Sequence, residues 1–428
     1  MTDRDSRTKL VGPVLVLVAL GVGLAVLPGC DLQSYSEDMT YPVRSDVMVI
    51  QAPPADPKHF SRPGEFAFLQ PEFDDPAAKG KKFDPTRLST EQRAAIEKYL
   101  DDHFGRPASP TLKGIDDETR EKLKLDDKTL AEGSHLYRRH CLHCHGLTGD
   151  GHGPTARWVN PHPRDYRPGM FKFTSTMGGK ERKPSRDDLI RTLKQGVEGT
   201  SMPSFGLLPE DELNHIISYV MHLSIRGNVE FRLINLLFVE DPDKPASVSV
   251  STALDDADST LSEIVDQWST AQRAPIPVAP FSADLQDLKS PAGQESIKRG
   301  HAVFLLKEGK CIECHADYGR QLAYKYDDWG TIVRPRDVTA GVLRGGRRPI
   351  DIYYRLFNGI NGTPMPAIVN AAQWKDEKYR TAKARQVWDL VNFIRAVPYP
   401  GMLPEDVRQQ VYRTEKPAEV RKVAANRD

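Results

Sequence analysis

Two short stretches hold most of the residues able to do chemistry: CLHCH at 141–145 and CIECH at 311–315. In each, two residues separate a pair of cysteines, and a histidine follows the second. Three chemistries use such pairs. A zinc site needs two further ligands per pair at suitable spacing. A redox dithiol sits between a strand and a helix and needs no histidine. Covalent attachment of haem explains every residue: two thiols add to the two vinyl groups, and two intervening residues let both sulfurs reach one porphyrin edge. The next histidine then lies under the iron. Cys141, Cys144, Cys311 and Cys314 are therefore thioether positions, and His145 and His315 proximal ligands. The chain has five cysteines, and the fifth, Cys30, has a motif of its own, so none is left for a structural disulfide. His143 projects from the loop between the first two sulfurs and reads as a surface residue.

A sixth ligand is sought in a constrained loop. Methionine thioether opposite histidine raises the reduction potential of haem iron. LKQGVEGTSMP, residues 193–203, and LFNGINGTPMP, residues 356–366, place Leu, Gly, Gly, Thr, Met and Pro at the same offsets. Proline after the methionine stiffens the loop, and the glycines permit turns against a flat ring. Met202 and Met365 are the expected distal ligands. Met170, Met177, Met221 and Met402 lack this context and are expected to pack. His140, His152 and His162 stand as alternative ligands near the first site.

The elements that must position these residues also come in pairs. Gly133 and Tyr137 precede the first motif, Gly300 and Phe304 the second, each pair on one face of a predicted helix. PRDY at 163–166 is matched by PRDV at 335–338. After each Met loop comes an amphipathic helix, one with Leu213, Ile216, Ile217 and Val220, the other with Val387, Leu390, Val391 and Ile394. Tyr219 and Phe393 hold the same place in these two helices. The glycines would let the last helix of each unit cross closely over the first. One unit of about 100 residues thus occurs twice. The first copy carries roughly nine extra residues, around FTSTMGGKERKPSR.

Each unit resembles a class I cytochrome c domain over about 129–226 and 293–400. The resemblance implies an all-α fold of two tandem class I cytochrome c domains, with two covalently bound c-type haems. It also implies that the carbonyls of Pro163 and Pro335 accept hydrogen bonds from the proximal histidines, as a ligating imidazole needs such a partner. The implied activity is single-electron transfer, as tethered shuttle or as subunit of a membrane complex. Redox protein partners are expected, a quinol-oxidising complex or a terminal oxidase among them. Dihaem enzymes, such as a peroxidase or a thiosulfate dehydrogenase, also carry two such motifs. Each needs an open or unusual axial position. The paired Met-Pro loops count against the first, and the lack of a spare cysteine near the first site counts against the second.

The rest of the chain sets location. Three basic residues precede an uncharged run from Leu10 to Leu27, and LPGC follows at 27–30. This describes an export signal, and its end resembles a bacterial lipobox that places a lipid on Cys30. The 18-residue run also approaches the length of a retained membrane-spanning helix. Both readings anchor the protein at the periplasmic or outer face of the cytoplasmic membrane. Formal net charge is zero, so no global field favours nucleic acid. Residues 31–128 read as an extended arm with one short helix at 89–105, opened by a Ser89/Gln92 capping box and packed on the first haem unit. Residues 227–292 read as a linker with helices at 229–238 and 259–273, ended by Pro275, Pro277 and Pro280. Residues 401–428 read as a tail. The charge clusters KGKK at 79–82 and RGGRRP at 344–349 read as solvated surface.

Overall fold

The computed structural model describes residues 35–46, 48–49, 82–179, 182–238, 254–306, 311–321, 324–328 and 332–412. The expected export segment, Cys30 and most of the 79–82 charge cluster lie outside them. The fold is helical, and β-structure among the described residues is confined to short antiparallel pairs such as Gly105–Arg106 with Ser109–Pro110. None of the described helices is long and apolar enough to cross a membrane.

Ten helices carry the argument. They are α1 (Thr90–Phe104), α2 (Asp117–Leu123), α3 (Asp127–His140), α4 (Arg186–Gln195), α5 (Glu210–Leu237), α6 (Ala257–Ala271), α7 (Pro291–Leu305), α8 (Pro349–Asn358), α9 (Glu377–Ala396) and α10 (Glu405–Val411). Their starts follow capping chemistry. Ser89 accepts from the Gln92 amide while the Gln92 side chain accepts from the Ser89 amide. Asp126 caps α3 through Thr129, and Ser290 caps α7 through Gly293. Each such cap satisfies an amide that the helix leaves without a partner, and contributes about 1 kcal/mol.

Apolar side chains collect in two cores. The first joins α1, α3, α5 and α6 through residues such as Phe104, Tyr137, Ile216, Tyr219 and Trp268. The second joins α7, α8, α9 and α10 through Phe304, Tyr353, Val387, Phe393 and Val407. Each lobe is built on a helix crossing that only glycine permits. A Cβ on Gly133 would lie 2.2 Å from the His215 carbonyl oxygen, and one on Gly300 would lie 2.0 Å from that of Asp389. In both crossings the added carbon would also meet the Cβ of the aromatic residue, Tyr219 or Phe393, at 2.9 Å. The close crossing expected from the spacing is thus present twice.

Three expectations about the connecting parts need correction. The helix at 229–238 is not separate: α5 runs unbroken from Glu210 to Leu237, through the expected boundary at 226. Gly227 does not stop it, because this glycine serves packing; its Cβ would lie 2.5 Å from the Arg167 Cα. The arm is not simply extended. Tyr41 is buried, with its hydroxyl 2.7 Å from that of Tyr219. The Arg44 amide donates to the Glu230 carboxylate at 2.9 Å, and Arg167 holds Asp46 with two nitrogens at 2.8 and 3.1 Å. Helix α1 packs on α5 as expected, and His222 of α5 binds the carbonyls of Phe104 and Thr111 at 3.0 and 2.9 Å. The tail opens with α10, which buries Val407 and Val411 in the second core.

The lobes meet through the extra residues of the first copy. Thr176 bridges to Pro275, and Asn358 donates to the Thr176 carbonyl at 2.7 Å. Arg182 donates to the Gly359 carbonyl at 3.0 Å, and Asn361 to the Arg182 carbonyl at 3.1 Å. Lys172 pairs with the buried Asp327 at 2.9 Å. The insertion is therefore a clamp between lobes.

Candidate haem sites

In the first lobe, a single helical turn, Leu142–His145, follows α3 and presents the motif. Its geometry is fixed by main-chain bonds: the His145 amide donates to the Cys141 carbonyl at 2.9 Å. The Tyr137 hydroxyl donates to the Gly146 carbonyl at 2.9 Å, tying α3 to the turn. His145 is buried, and Tyr166 stacks on its ring with centroids 4.7 Å apart. Its Nδ1 lies 3.1 Å from the carbonyl oxygen of Arg164. In the second lobe the His315 amide donates to Cys311 at 2.7 Å, and the His315 Nδ1 lies 2.9 Å from the carbonyl oxygen of Arg336. The expected acceptors were Pro163 and Pro335. The bond goes one residue further on in both copies, because the Pro163 carbonyl is turned against Gly151 and His162.

These bonds choose the chemistry of each ring. With Nδ1–H donated to a carbonyl, Nε2 keeps its lone pair and can serve as a ligand. Burial moves the histidines the same way. It pushes the His145 pKa down to about 4 against the opposing Arg164 carbonyl, and it lowers that of His315. Burial pushes the Cys141 thiol up to about 12, and it raises Cys311. All four motif cysteines are free of disulfides. Neutral imidazole and unpaired thiols at this spacing fit thioether attachment and axial ligation of haem. Among the described residues no group of three or more His, Cys, Asp or Glu is arranged to hold a metal ion without such a cofactor.

The two methionine loops are built by the same bonds. In the first, the Val197 amide donates to the Met202 carbonyl at 3.1 Å, and the Met202 amide donates to the Thr200 hydroxyl at 3.1 Å. In the second, Ile360 donates to the Met365 carbonyl at 3.2 Å, and Met365 to the Thr363 hydroxyl at 3.3 Å. The turns need left-handed backbone, and glycine supplies it: φ is 68° and 70° at Gly196 and Gly199, and 69° and 67° at Gly359 and Gly362. Met202 packs on the core that holds Cys141, and Met365 on the core that Cys311 borders. Met221 is fully buried, and Met177 and Met402 pack against the second core. His143 is exposed. His152 and His162 lie near each other, with ring centroids 5.0 Å apart, and His140 lies near Phe205 at 6.1 Å.

Sequence reasoning missed the arginines. Arg164 and Arg336 were visible as the middle residue of the repeated PRD, yet nothing in spacing says which carbonyl faces a ring. Within 344–349, expected as solvated surface, Arg347 and Arg348 are exposed; Arg347 also pairs with Glu198 of the first Met loop at 3.1 Å, and Gly345 lies against Phe173.

A family model described as cytochrome c oxidase, cbb3-type, subunit III, matches residues 128–220. With the motif geometry above, this supports a c-type cytochrome unit over those residues, and such a unit implies covalently bound haem. Among solved structures, the chain is similar to one from a Kuenenia stuttgartiensis reducing HAO-like protein complex. That likeness has 24% sequence identity and a TM-score of 0.41, over 62% of this chain and 95% of the other. No curated protein matches.

Proposed function

We propose that the protein is a membrane-anchored dihaem cytochrome that passes single electrons between redox protein partners. In this reading Cys141, Cys144, His145 and Met202 hold one haem, and Cys311, Cys314, His315 and Met365 hold the other. The observation that carries it is the identity of the bonds around both sites: the same carbonyl after proline on the histidine, and the same amide, hydroxyl and glycine pattern in the Met loop. Bound haem supplies a one-electron iron couple. The chain does the rest. Arg164 and Arg336 orient the imidazoles through their carbonyls, the Met loops close the opposite side, and the two apolar cores exclude water. Were a haem bound with the histidine and the methionine of its lobe both ligating, no open iron would be offered to a substrate, which favours electron transfer over a peroxidase or a thiosulfate dehydrogenase. A lipid on Cys30, or a retained N-terminal helix, would hold the protein at the outer face of the cytoplasmic membrane. There a quinol-oxidising complex or a terminal oxidase would be its partner.

The test is made on the full chain, matured with haem. A pyridine haemochrome assay is expected to give two haems per chain, and Cys314→Ser to lose one. The ferric spectrum is expected to show the methionine–iron charge-transfer band for both. Carbon monoxide binding by the unmodified reduced protein would replace this reading with the enzymatic one. Mild-detergent extraction and a haem-stained native gel then separate the two modes: a band at the size of one chain means a shuttle, and a large assembly means a bound subunit.

A further inference from the structure

Partly buried cations gather where the two lobes meet. The Arg344 Nε and the Arg336 Nη2 are both buried and have no hydrogen-bond partner. The loop that carries Arg344 is not loose. Arg355 of α8 binds its Arg344 carbonyl and donates to its Gly346 carbonyl at 2.7 Å. Gly345 sits against Phe173 of the first lobe, where a Cβ would come within 2.4 Å of the ring. Next to Phe173, Lys172 reaches across to Asp327 of the second lobe at 2.9 Å. Arg164 belongs to the same group: the carboxylate of Asp327 acts on its guanidinium, as it does on Lys172. Burial, and then the charges of Arg336, Arg164 and Arg334, lower the Arg344 pKa to about 10. Like charges on partly buried side chains have thus been brought together, with Asp327 as a buried carboxylate among them. Desolvated guanidinium nitrogens without partners are costly unless an anion meets them. Their planar donors match carboxylate geometry.

The same arginines hold the proximal histidines. The Arg164 carbonyl accepts from His145 and the Arg336 carbonyl accepts from His315. Their main chains would serve one haem each, and the charge of each guanidinium is felt by Arg344. We propose that Arg344 and Arg336, with Arg164 across the boundary, form one carboxylate-binding site, and that its ligands are haem propionates of both lobes. This rests on the reading of two covalent haems. The site would fix the haems relative to one another and set their potentials together, because a desolvated cation favours the reduced, less positive iron.

The experiment uses the haem-loaded full chain with Arg344→Gln, Arg344→Lys and, as control, Arg408→Gln. Arg408 lies on α10 of the second lobe, is exposed and pairs with Glu405. Both midpoint potentials are read by optical redox titration and assigned with Met202→Ala and Met365→Ala chains. Arg344→Gln is expected to lower both potentials and to shift the propionate-bending bands of both haems in the resonance Raman spectrum. Arg344→Lys is expected to restore part of the potential shift, and Arg408→Gln to leave both potentials in place. Should Arg344→Gln lose haem, Arg336→Gln gives the same readout while keeping the carbonyl that holds His315. Two haems per chain with neither potential moved, with one moved alone, or with an equal shift in Arg408→Gln, overturn the shared site. One haem per chain would instead overturn the dihaem reading beneath it.

Discussion

Protonating His222 means placing a charge inside the first core. Its Nε2 serves the carbonyls of Phe104 and Thr111, and its Nδ1 is buried without a partner. Burial lowers its pKa to about 4, against the raising effect of those carbonyls. A histidine in the unfolded chain titrates near 6.5, so below that pH the unfolded chain takes up a proton that the folded one refuses. Its contribution is present in full above pH ~6.5 and is lost as pH falls toward ~4, on the order of 3 kcal/mol in all. Chemical denaturation at pH 7 and pH 4.5 should show a smaller loss for His222→Gln than for the unmodified protein. At the axial positions the expectation concerns potential. Met202→Ala or Met365→Ala should lower the potential of its own haem by removing the thioether, and should let the reduced protein bind carbon monoxide at that haem alone. If neither change moves either potential, the distal assignment is wrong. The two Cys-x-x-Cys-His stretches could be picked out because they recur at one spacing. The carbonyl that holds each ring could not, because backbone direction after a proline depends on what the neighbouring loop presses against.

At the scale of elements, each lobe depends on a crossing that tolerates no side chain. Gly133→Ala would drive a methyl group into the His215 carbonyl, and Gly300→Ala into that of Asp389. Overpacking of this kind costs about 1–3 kcal/mol, so each substitution should lower the melting temperature. Gly401→Ala, where no atom lies within 4 Å of the added carbon, is a suitable control and should change little. These crossings could be read in advance because glycine and aromatic residues recur at one spacing in both copies. The continuation of α5 through Gly227 could not. A glycine inside a helical pattern means a stop when chain length decides and a contact when packing decides, and here Arg167 decides. The arm was misread for a related reason. Its anchoring residues, Tyr41, Arg44 and Asp46, are single side chains without periodicity, and their partners lie far along the chain at Tyr219, Glu230 and Arg167.

The whole molecule turns on the insertion at 174–183, which composition alone made look like an ornament of the first copy. It contributes Thr176 and Arg182 to the boundary, and both bind beside the second Met loop: Thr176 through Asn358, Arg182 through Gly359 and Asn361. The loop proposed to carry a distal ligand is thus braced by the opposite lobe. The lobes should then melt together, since unfolding either one leaves polar groups of the other without partners. Arg182→Ala combined with Asn361→Ala removes two of these bonds and touches neither core. The expected result is a calorimetric trace that splits into two transitions, with a larger radius of gyration in solution scattering and both haems retained. The ion pairs Lys172–Asp327 and Arg347–Glu198 remain in that chain. A single unchanged transition would leave the coupling with these pairs and with the Asn358–Thr176 bond, and raising the salt concentration separates the two, since it should split the transition only where charge carries the coupling. An exposed pair such as Arg347–Glu198 weakens as ions screen it, whereas hydrogen bonds from buried amides and guanidinium groups do not.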